Sequence, residues 1–480
     1  MGTRVLEARG ASAAELREGI GAIQREQGVT PEFPAEVEKA AEQAAGKRTR
    51  SLEPEARDLT DVEFVTIDPV GAMDLDQAMH LALDGDGYVV HYAIADVMAF
   101  IEPGDPVDDE AHRRGETLYG ADSKVPLHPK VLSEGAASLL PDQERPAFVW
   151  TIRLDAAGAT RDATVERARV RSRLRLDYES VQREIDSAPA GSTLAVLKTV
   201  GELRITQEAE RGGVSLPMPA QEIDMEDDRW RLEYREMLPV ESWNAQISLL
   251  TGFAAASIMI EGKVGILRTL PPAPEDAVER LRRTARALGL DWPRAQGHAD
   301  FIRSLDPSEP AEAAMVVACT SLLRGAGYTS FDGPLPDQTD HAALASPYAH
   351  VTAPLRRLVD RYGLEVCAAL CAGEQVPDWV LHGLSDLPDI MTDSGRRANA
   401  YENAMLNLVE AETLKPRIGE QFVGVVTELE HDDQREGTVM IREPAVEAAV
   451  SSESPLPVGE HVTLTLTEAD PATRTVRFTL

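Results

Sequence analysis

The hydrophobic and polar positions divide the chain into three stretches with different periodicity. Residues 1–57 are rich in Ala, Glu and Gln and repeat their apolar positions at helical spacing, which predicts helices over 11–26 and 34–45. In residues 58–415, β-branched runs occur beside longer helical patterns, as in a domain that mixes sheet and helix. Within it, the β run Tyr88–Asp96 follows a Gly-Asp-Gly turn, which predicts a hairpin with the segment after Gln77. Residues 416–480 alternate apolar and polar positions in short runs separated by turns, which predicts a small barrel of strands.

The sequence therefore predicts a multidomain protein of the α/β (α+β) class. Residues 1–57 form the first domain, either a helix-turn-helix-like unit or a simple helical cap. Residues 58–415 form a large central domain, and residues 416–480 form an OB-fold barrel.

A short strand followed by an acidic loop stands near the start of the central domain. Val62–Ile67 is rich in β-branched and aromatic residues, and Pro69 and Gly71 break the strand into a loop. Three carboxylates then lie at the strand end and along the loop: Asp68, Asp74 and Asp76. Carboxylates that lie close together repel one another unless cations neutralise them, and Mg²⁺ is a usual partner of a few carboxylates and a substrate phosphate. The alternative is a solvated acidic loop, because Asp is common in turns.

The composition narrows the class of protein. A formal net charge of −33 in 480 residues argues against a basic coat for nucleic acid, so a polyanion would have to be bound through local arginine clusters and metal ions. The three cysteines show no ligand spacing and their number is odd, which favours a reducing compartment. The N-terminus shows no secretory signal, and no apolar run approaches a membrane span. We therefore expect a soluble, cytoplasmic monomer with no membrane partner.

The acidic loop resembles the signature of the ribonuclease II and ribonuclease R family, the RNB exoribonucleases. That signature is T-I-D, five residues, then D-x-D-D, and Asp68, Asp74 and Asp76 fall on its first three acids. Gln77 stands where the fourth acid is expected, so this site offers three negative charges where the family offers four. An amide can lend a carbonyl oxygen but no charge, and we expect one ion to be held more weakly before phosphate binds.

A second motif also resembles this family. The segment YAHVTAPLRRLVD, over Tyr348–Asp360, is similar to the family pattern Y-x-H-F-T-S-P-I-R-R-Y-x-D. Pro354 suits the first turn of a helix, which predicts that Arg356 and Arg357 lie near its positive N-terminal end. Guanidinium groups at that position are suited to gripping phosphate oxygens. The alternative is a pair of surface salt bridges.

Four further residues take candidate roles from the same resemblance. Tyr119 falls where the family stacks a tyrosine on the terminal base, the alternative being a buried structural tyrosine. Glu402 falls where the family has a glutamate near the terminal nucleotide, and Asp96 either supports the metal site or is an ordinary strand-end residue. The C-terminal stretch resembles the OB-fold barrel of the ribosomal S-one type that commonly ends this family, with Phe422 as a candidate stacking platform.

Five arginines alternate within the segment ERARVRSRLRLDYESV, at residues 166–181. They are Arg167, Arg169, Arg171, Arg173 and Arg175. A period of two places all five on one face of a strand. This face is either an ordinary solvated surface or a stripe that contacts the RNA backbone, for which Arg171 and Arg173 are the candidates.

The resemblance implies a processive 3′→5′ exoribonuclease that hydrolyses single-stranded RNA to nucleoside 5′-monophosphates. The three acids would hold two Mg²⁺ ions, Arg356 and Arg357 would clamp the scissile phosphate, and Tyr119 would fix the last base. The alternative, motivated by Gln77, is an RNA-binding regulator with a weakened catalytic centre.

Overall fold

A computed structural model describes residues 13–46, 57–121, 123–216, 220–226, 229–235, 237–430 and 433–480. Its N-terminal part forms two helices, α1 (Ala13–Glu26) and α2 (Ala35–Ala45). Both helices that the periodicity predicts are confirmed, although the predicted first two residues of α1 lie outside the described ranges. Pro34 precedes α2, where its fixed φ angle favours the start of a helix.

The acidic loop belongs to a closed five-stranded barrel. The elements of this part of the chain are β1 (Phe64–Asp68), β2 (Gln77–Asp84), β3 (Gly87–Ala95), α3 (Pro106–Arg114), β4 (Leu118–Tyr119), β5 (Lys124–Val125), β6 (Glu144–Leu154) and β7 (Thr160–Asp177). The barrel order is β1-β2-β3-β6-β7, and it closes through parallel pairing of β1 with β7. The hairpin predicted after Gln77 is confirmed, because Gln77 lies opposite Ile94 and Asp84 lies opposite Gly87.

Both faces of the barrel strands are buried, which fixes their register. On β3, Tyr92 and Ile94 belong to one apolar cluster, whereas Ala93 and Ala95 belong to another. A shift of one residue would exchange the large and small side chains between the two clusters. The position of the acids at the start of β2 therefore depends on packing along the whole hairpin.

Helices and short strands surround the barrel. They are α4 (Tyr178–Glu184), α5 (Thr193–Arg211), β8 (Ala220–Glu226), β9 (Arg229–Arg235), α6 (Pro239–Gly262), β10 (Val264–Thr269), α7 (Glu275–Ala287), α8 (His298–Arg303), α9 (Pro310–Cys319), β11 (Gly327–Asp332), β12 (Asp340–His341), β13 (Ser346–Pro347), α10 (Leu358–Ala372), α11 (Asp378–Leu384) and α12 (Leu387–Leu414). By length and composition alone α6 could cross a membrane. Its apolar side chains, Ile247 and Leu250 among them, are instead buried in the same cluster as the barrel residues Tyr92 and Trp150.

The chain ends in a second closed barrel, which confirms the predicted OB-like fold. Its strands are β14 (Gln421–Glu430), β15 (Asp433–Ile441), β16 (Val446–Ser451), β17 (His461–Asp470) and β18 (Thr475–Thr479), in the order β14-β15-β16-β18-β17. The prediction that Phe422 is a stacking platform is wrong. Its ring is only 5% exposed, packs edge-on against Phe478 at a centroid distance of 5.5 Å, and is covered by Arg417.

The two N-terminal helices pack on different parts of the protein. Leu16 and Ile23 of α1 share an apolar cluster with Leu408 of α12 and with the C-terminal barrel. Ala41 of α2 belongs instead to the cluster that contains Phe64 of β1. Helix α1 therefore buries its apolar face against α12 and the C-terminal barrel, and α2 buries its own against the first barrel. The two helices do not share an apolar cluster.

Candidate active site

The acidic loop between β1 and β2 is held by backbone contacts on both sides. The Ser138 hydroxyl accepts a hydrogen bond from the Leu75 N–H at 3.0 Å and donates one to the Met73 carbonyl at 2.6 Å. The Asp76 carbonyl accepts a hydrogen bond from the Ala95 N–H at 2.9 Å, next to the end of β3. The loop is therefore fixed before any ligand binds.

Two of the loop carboxylates have raised pKa values because the protein removes them from water. Asp76 is 3% exposed, and burial raises its pKa to about 7 even though it accepts hydrogen bonds. Its partners are the Leu355 N–H at 2.8 Å and the Arg356 guanidinium, whose Nε lies 3.3 Å away. Burial also raises the pKa of Asp68 to about 6, opposed by Arg356 and reinforced by Asp74. The Asp68 side chain makes no hydrogen bond or ion pair with any residue of the described ranges, although its backbone pairs with Asp177 of β7.

Asp74 has a cation of its own. The Lys124 Nζ lies 2.6 Å from Asp74 Oδ1 and 3.1 Å from Glu134 Oε1. Both carboxylates therefore share one ammonium group, and these contacts raise the pKa of Lys124 against the opposing effect of its burial. The sequence analysis did not find Lys124, because nothing in its neighbourhood marks a lysine in β5 as the partner of an aspartate between β1 and β2.

The three acids are electrostatic neighbours but do not form a ready-made cage. Within the part of the chain that the structure describes, no three His, Cys, Asp or Glu side chains stand at a spacing that could hold a metal ion. Asp74 and Asp76 contact basic side chains instead. The donor set still suits Mg²⁺, which prefers oxygen ligands and usually takes one or two carboxylates together with water and substrate phosphate. The buried Asp68 carboxylate is the group whose charge such an ion would compensate.

Gln77 has a structural partner that the sequence analysis did not predict. Its Nε2 donates a hydrogen bond to the carbonyl of Thr352, in the segment that leads to Arg356. The amide thus joins the first residue of β2 to a segment far along the chain.

This contact predicts the effect of restoring an acid at residue 77. Gln77→Asp should lower the melting temperature of the metal-free protein, because the buried Thr352 carbonyl loses its donor, a cost of about 1–3 kcal/mol. The matched control is Gln77→Met, which loses the same donor without adding charge. In Mg²⁺ titrations of single-turnover cleavage, Gln77→Asp should reach half-saturation at a lower concentration than Gln77→Met. If Gln77→Asp melted at the wild-type temperature, the hydrogen bond to Thr352 would make no contribution to stability.

The two arginines of the second motif do not lie inside a helix, so the predicted helix start is wrong. Helix α10 begins at Leu358, after both arginines. Residues 354–356 form a turn, and Arg357 is extended because it pairs with another segment: the Thr117 N–H donates to the Arg356 carbonyl at 3.0 Å, and the Leu358 N–H donates to the Gly115 carbonyl at 2.9 Å. Arg357 is the N-cap residue of α10, so both arginines do lie beside the N-terminal end of a helix, as the sequence predicts. Pro354 therefore lies in the turn before this segment rather than in the first helical turn.

The two arginine side chains are in different environments. Arg357 donates two hydrogen bonds to the Asp360 carboxylate, both at 2.9 Å, and Asp360 also accepts from the Ala353 N–H at 2.7 Å. Arg356 keeps 45% of its side chain exposed and contacts Asp76 through one nitrogen only. Arg356 is thus free to bind a further anion, whereas Arg357 is occupied in holding the turn.

Tyr119 lies beside Arg356, and its side chain is 43% exposed. Arg356 donates a hydrogen bond to the Tyr119 hydroxyl, while burial of the hydroxyl end raises its pKa. The Glu402 carboxylate accepts a hydrogen bond from the Tyr119 backbone, and burial raises the pKa of Glu402, with a further contribution from Glu116. The structure therefore brings Asp76, Arg356, Tyr119 and Glu402 together.

The alternating arginines of β7 are mostly engaged by the protein itself. Arg167 pairs with the buried Asp96, at 2.8 Å, and with Glu365, so Asp96 supports this strand rather than contacting the acidic loop. Arg173 donates to the Thr60 carbonyl at 2.6 Å. Arg171 is half-buried, and neither Arg171 nor Arg173 contacts the acids. Only the last member of the series reaches the loop, where Arg175 donates to the Ala72 carbonyl at 3.3 Å.

A set of neutral hydroxyl groups also lies near Asp68, and no motif in the sequence marks these residues. The Tyr92 hydroxyl lies 3.2 Å from the Ser248 hydroxyl, which donates to the Thr352 hydroxyl at 3.3 Å. The Tyr178 hydroxyl accepts from Asn244 at 3.2 Å. Burial raises the pKa of both tyrosines, and the negative charge of Asp68 adds to this effect. These groups remain protonated and can donate hydrogen bonds.

Comparisons with known proteins agree on one family. The model of the RNB domain matches residues 56–368, and that of the RNase II-type exonuclease C-terminal S1 domain matches residues 420–480. Ribonuclease R of Aquifex aeolicus is 25% identical over 85% of this chain and 60% of its own length. Exosome complex exonuclease RRP44 homolog A of Arabidopsis thaliana is 26% identical over 73% of this chain and 38% of its own length.

The solved structures give the same fold over nearly the whole chain. RNase R of Mycoplasma genitalium in complex with ribose methylated single-stranded RNA has a TM-score of 0.86 at 20% identity, covering 97% of this chain and 78% of that one. The chain thus spans less than two thirds of the length of each curated relative above but 78% of this structural neighbour.

Proposed function

The chain belongs to the family of RNB-domain exonucleases with an RNase II-type C-terminal S1 domain, and on this basis we propose that it is a 3′→5′ exoribonuclease acting on single-stranded RNA. The observation that carries the proposal is the contact series Tyr119–Arg356–Asp76, which joins an exposed aromatic ring, an accessible guanidinium and a buried carboxylate. A ring, a cation and metal-binding oxygens are the groups needed to hold a terminal base, its phosphate and the ions at the phosphate.

In this proposal Asp68, Asp74 and Asp76 would hold Mg²⁺. Bound there, Mg²⁺ would supply Lewis-acid activation of the attacking water and charge stabilisation at the leaving 3′ oxygen. Arg356 binds the scissile phosphate and opposes its developing charge, and Arg357 positions Arg356 by fixing the turn through Asp360. Tyr119 stacks on the last base and keeps the phosphodiester in register for each step, with Glu402 fixing the strand that carries the ring. The products are nucleoside 5′-monophosphates, released processively.

The test is an incubation of purified protein with 5′-labelled single-stranded RNA, with Mg²⁺ or with a chelator. Mg²⁺-dependent release of mononucleotides and a short 5′-labelled end product is expected. Binding of the RNA without products at any Mg²⁺ concentration would instead favour an RNA-binding regulator with a weakened catalytic centre. The retained groups Asp68, Asp76, Arg356 and Tyr119 favour the enzyme.

The stacking role of Tyr119 predicts a change in product length. Tyr119→Ala should lengthen or shift the end product more than it slows cleavage of long RNA, because short products depend on the terminal stack, about 1–3 kcal/mol per base. Tyr119→Phe is the matched control: it keeps the ring and loses only the hydrogen bond with Arg356. The end products of the three proteins are compared on sequencing gels. Identical lengths in wild type and Tyr119→Ala would leave the residue without a stacking role.

A further inference from the structure

Lys124 places a positive charge directly on one of the three acids of the site. Its ammonium group lies between two carboxylates from separate parts of the chain, 2.6 Å from Asp74 and 3.1 Å from Glu134. All three side chains are largely buried, with exposures of 24%, 18% and 21% for Lys124, Asp74 and Glu134. A partly buried ammonium that contacts two carboxylates is held in place as a fixed charge. An exposed surface ion pair, by contrast, contributes little to stability.

The elements around Lys124 are the same ones that build the catalytic site. Lys124 lies in β5, directly opposite Tyr119 of β4, and a Gly120 N–H to Ser123 carbonyl hydrogen bond at 2.8 Å closes the ribbon. Glu134 lies in a short helical turn a few residues before Ser138, which fixes the acidic loop. The cation is therefore held from both sides by elements that also hold the base-stacking tyrosine and the acids.

The charges around the acids leave one carboxylate without a cationic contact. Asp76 contacts Arg356 and Asp74 contacts Lys124, whereas Asp68 makes no ion pair among the described residues. Residue 77, where the family signature has a fourth acid, is a neutral glutamine whose amide donates to Thr352. Two divalent ions would bring four positive charges to three carboxylates that already have two cationic neighbours.

We propose that Lys124 is a resident counter-ion that replaces one of the two divalent ions, so that this chain binds a single Mg²⁺ at Asp68, and Asp74, one of the three ligands assigned above, is held by Lys124 instead. The inference rests on the proposed function, because it concerns the ions of that site. Lys124 is a positioning residue: it holds Asp74 and lowers the affinity of the site for further cations. The single ion completes its coordination with water and the RNA phosphate, as Mg²⁺ commonly does.

The test counts ions directly, using Mn²⁺ titrations of the full chain without RNA, followed by electron paramagnetic resonance of free Mn²⁺. Wild type is expected to bind one Mn²⁺. Lys124→Met should bind the first ion roughly tenfold more tightly and take up a second, because one positive charge leaves the site. Lys124→Arg keeps the charge and should bind one ion. Lys198→Met is the matched control, since Lys198 forms a similar 2.7 Å pair with Asp186 outside the site.

Glu134→Gln gives an independent test if Lys124→Met does not fold. This variant removes one of the two carboxylates that contact Lys124 and should therefore weaken Mn²⁺ binding, whereas Lys124→Met should strengthen it. The number of bound Mn²⁺ ions should stay at one. Two ions bound to wild type, or an unchanged count and affinity in Lys124→Met with a normal circular dichroism spectrum, would overturn the inference. Absence of both Mn²⁺ binding and RNA hydrolysis in wild type would overturn the proposed function instead.

Discussion

Replacing Asp76 with Asn is expected to reduce single-turnover RNA cleavage by at least roughly a hundredfold while leaving RNA affinity nearly unchanged. The asparagine oxygen can still accept the 2.8 Å hydrogen bond from the Leu355 N–H, so the turn before Arg356 should keep its shape. What is lost is the charge that faces Arg356 and that, under the proposed function, would also bind Mg²⁺. Cleavage is measured with excess enzyme on labelled RNA, and affinity by filter binding in a chelator.

The control for this substitution lies at the far end of β2, the strand that begins directly after Asp76. Asp84→Asn removes an exposed carboxylate that pairs with Arg153 at 3.2 Å, far from the loop. This variant should cleave RNA like wild type. Equal loss of activity in both variants would mean that general electrostatics, and not the site, explains the effect. Cleavage at the wild-type rate in Asp76→Asn would remove Asp76 from the catalytic group.

The same substitution should change how the stability of the metal-free protein depends on pH. Burial raises the pKa of Asp76 to about 7, so the folded state keeps a proton that the unfolded chain has already lost. A group of this kind contributes stability that is fully present below about pH 4 and is lost as the pH rises through about 7. Asp76→Asn cannot ionise, so its melting temperature should fall less than that of wild type between about pH 5 and about pH 8. Asp68, with a pKa of about 6, keeps its own contribution in both proteins.

The second large effect separates the two arginines that the sequence places side by side. Arg356→Lys should reduce cleavage by about a hundredfold with little change in melting temperature, because a compact ammonium cannot reproduce the guanidinium contacts to phosphate. Arg356 is half-exposed, so the fold depends on it little. Arg357→Lys should instead lower the melting temperature, because it loses the two hydrogen bonds to the buried Asp360.

Both variants are tested by thermal melts and single-turnover cleavage in the same buffer. For each variant, the informative quantity is the loss of cleavage relative to the change in melting temperature. This comparison is needed because Arg357→Lys also disturbs the turn that carries Arg356. If Arg357→Lys melts like wild type and loses as much cleavage as Arg356→Lys, then Arg357 contacts phosphate itself. That result would restore the clamp of two arginines that the family resemblance implies.

Several features of this protein follow from local sequence. The N-terminal helices, the β2–β3 hairpin and the C-terminal barrel were predicted from apolar periodicity, and the structure confirms them. Periodicity succeeds here because each element is defined by which of its own side chains are apolar. The helix predicted from Pro354 failed for the opposite reason. Pairing with the segment that contains Gly115 and Thr117 holds Arg357 extended and delays the helix to Leu358, and that segment lies far away in the sequence.

What the sequence determined by itself is therefore the set of elements and the family to which the chain belongs, because both reside in short motifs. Only the tertiary structure decided which partner each polar group takes. Lys124 neutralises Asp74, Gln77 donates to Thr352, Arg357 is occupied by Asp360, and Phe422 is buried against Phe478. Most of these partners belong to different elements, and Gln77 and Thr352 are 275 residues apart. Such pairs are selected by the packing of barrels and helices, which places charges and hydrogen-bonding groups together without leaving a periodic signal in the chain.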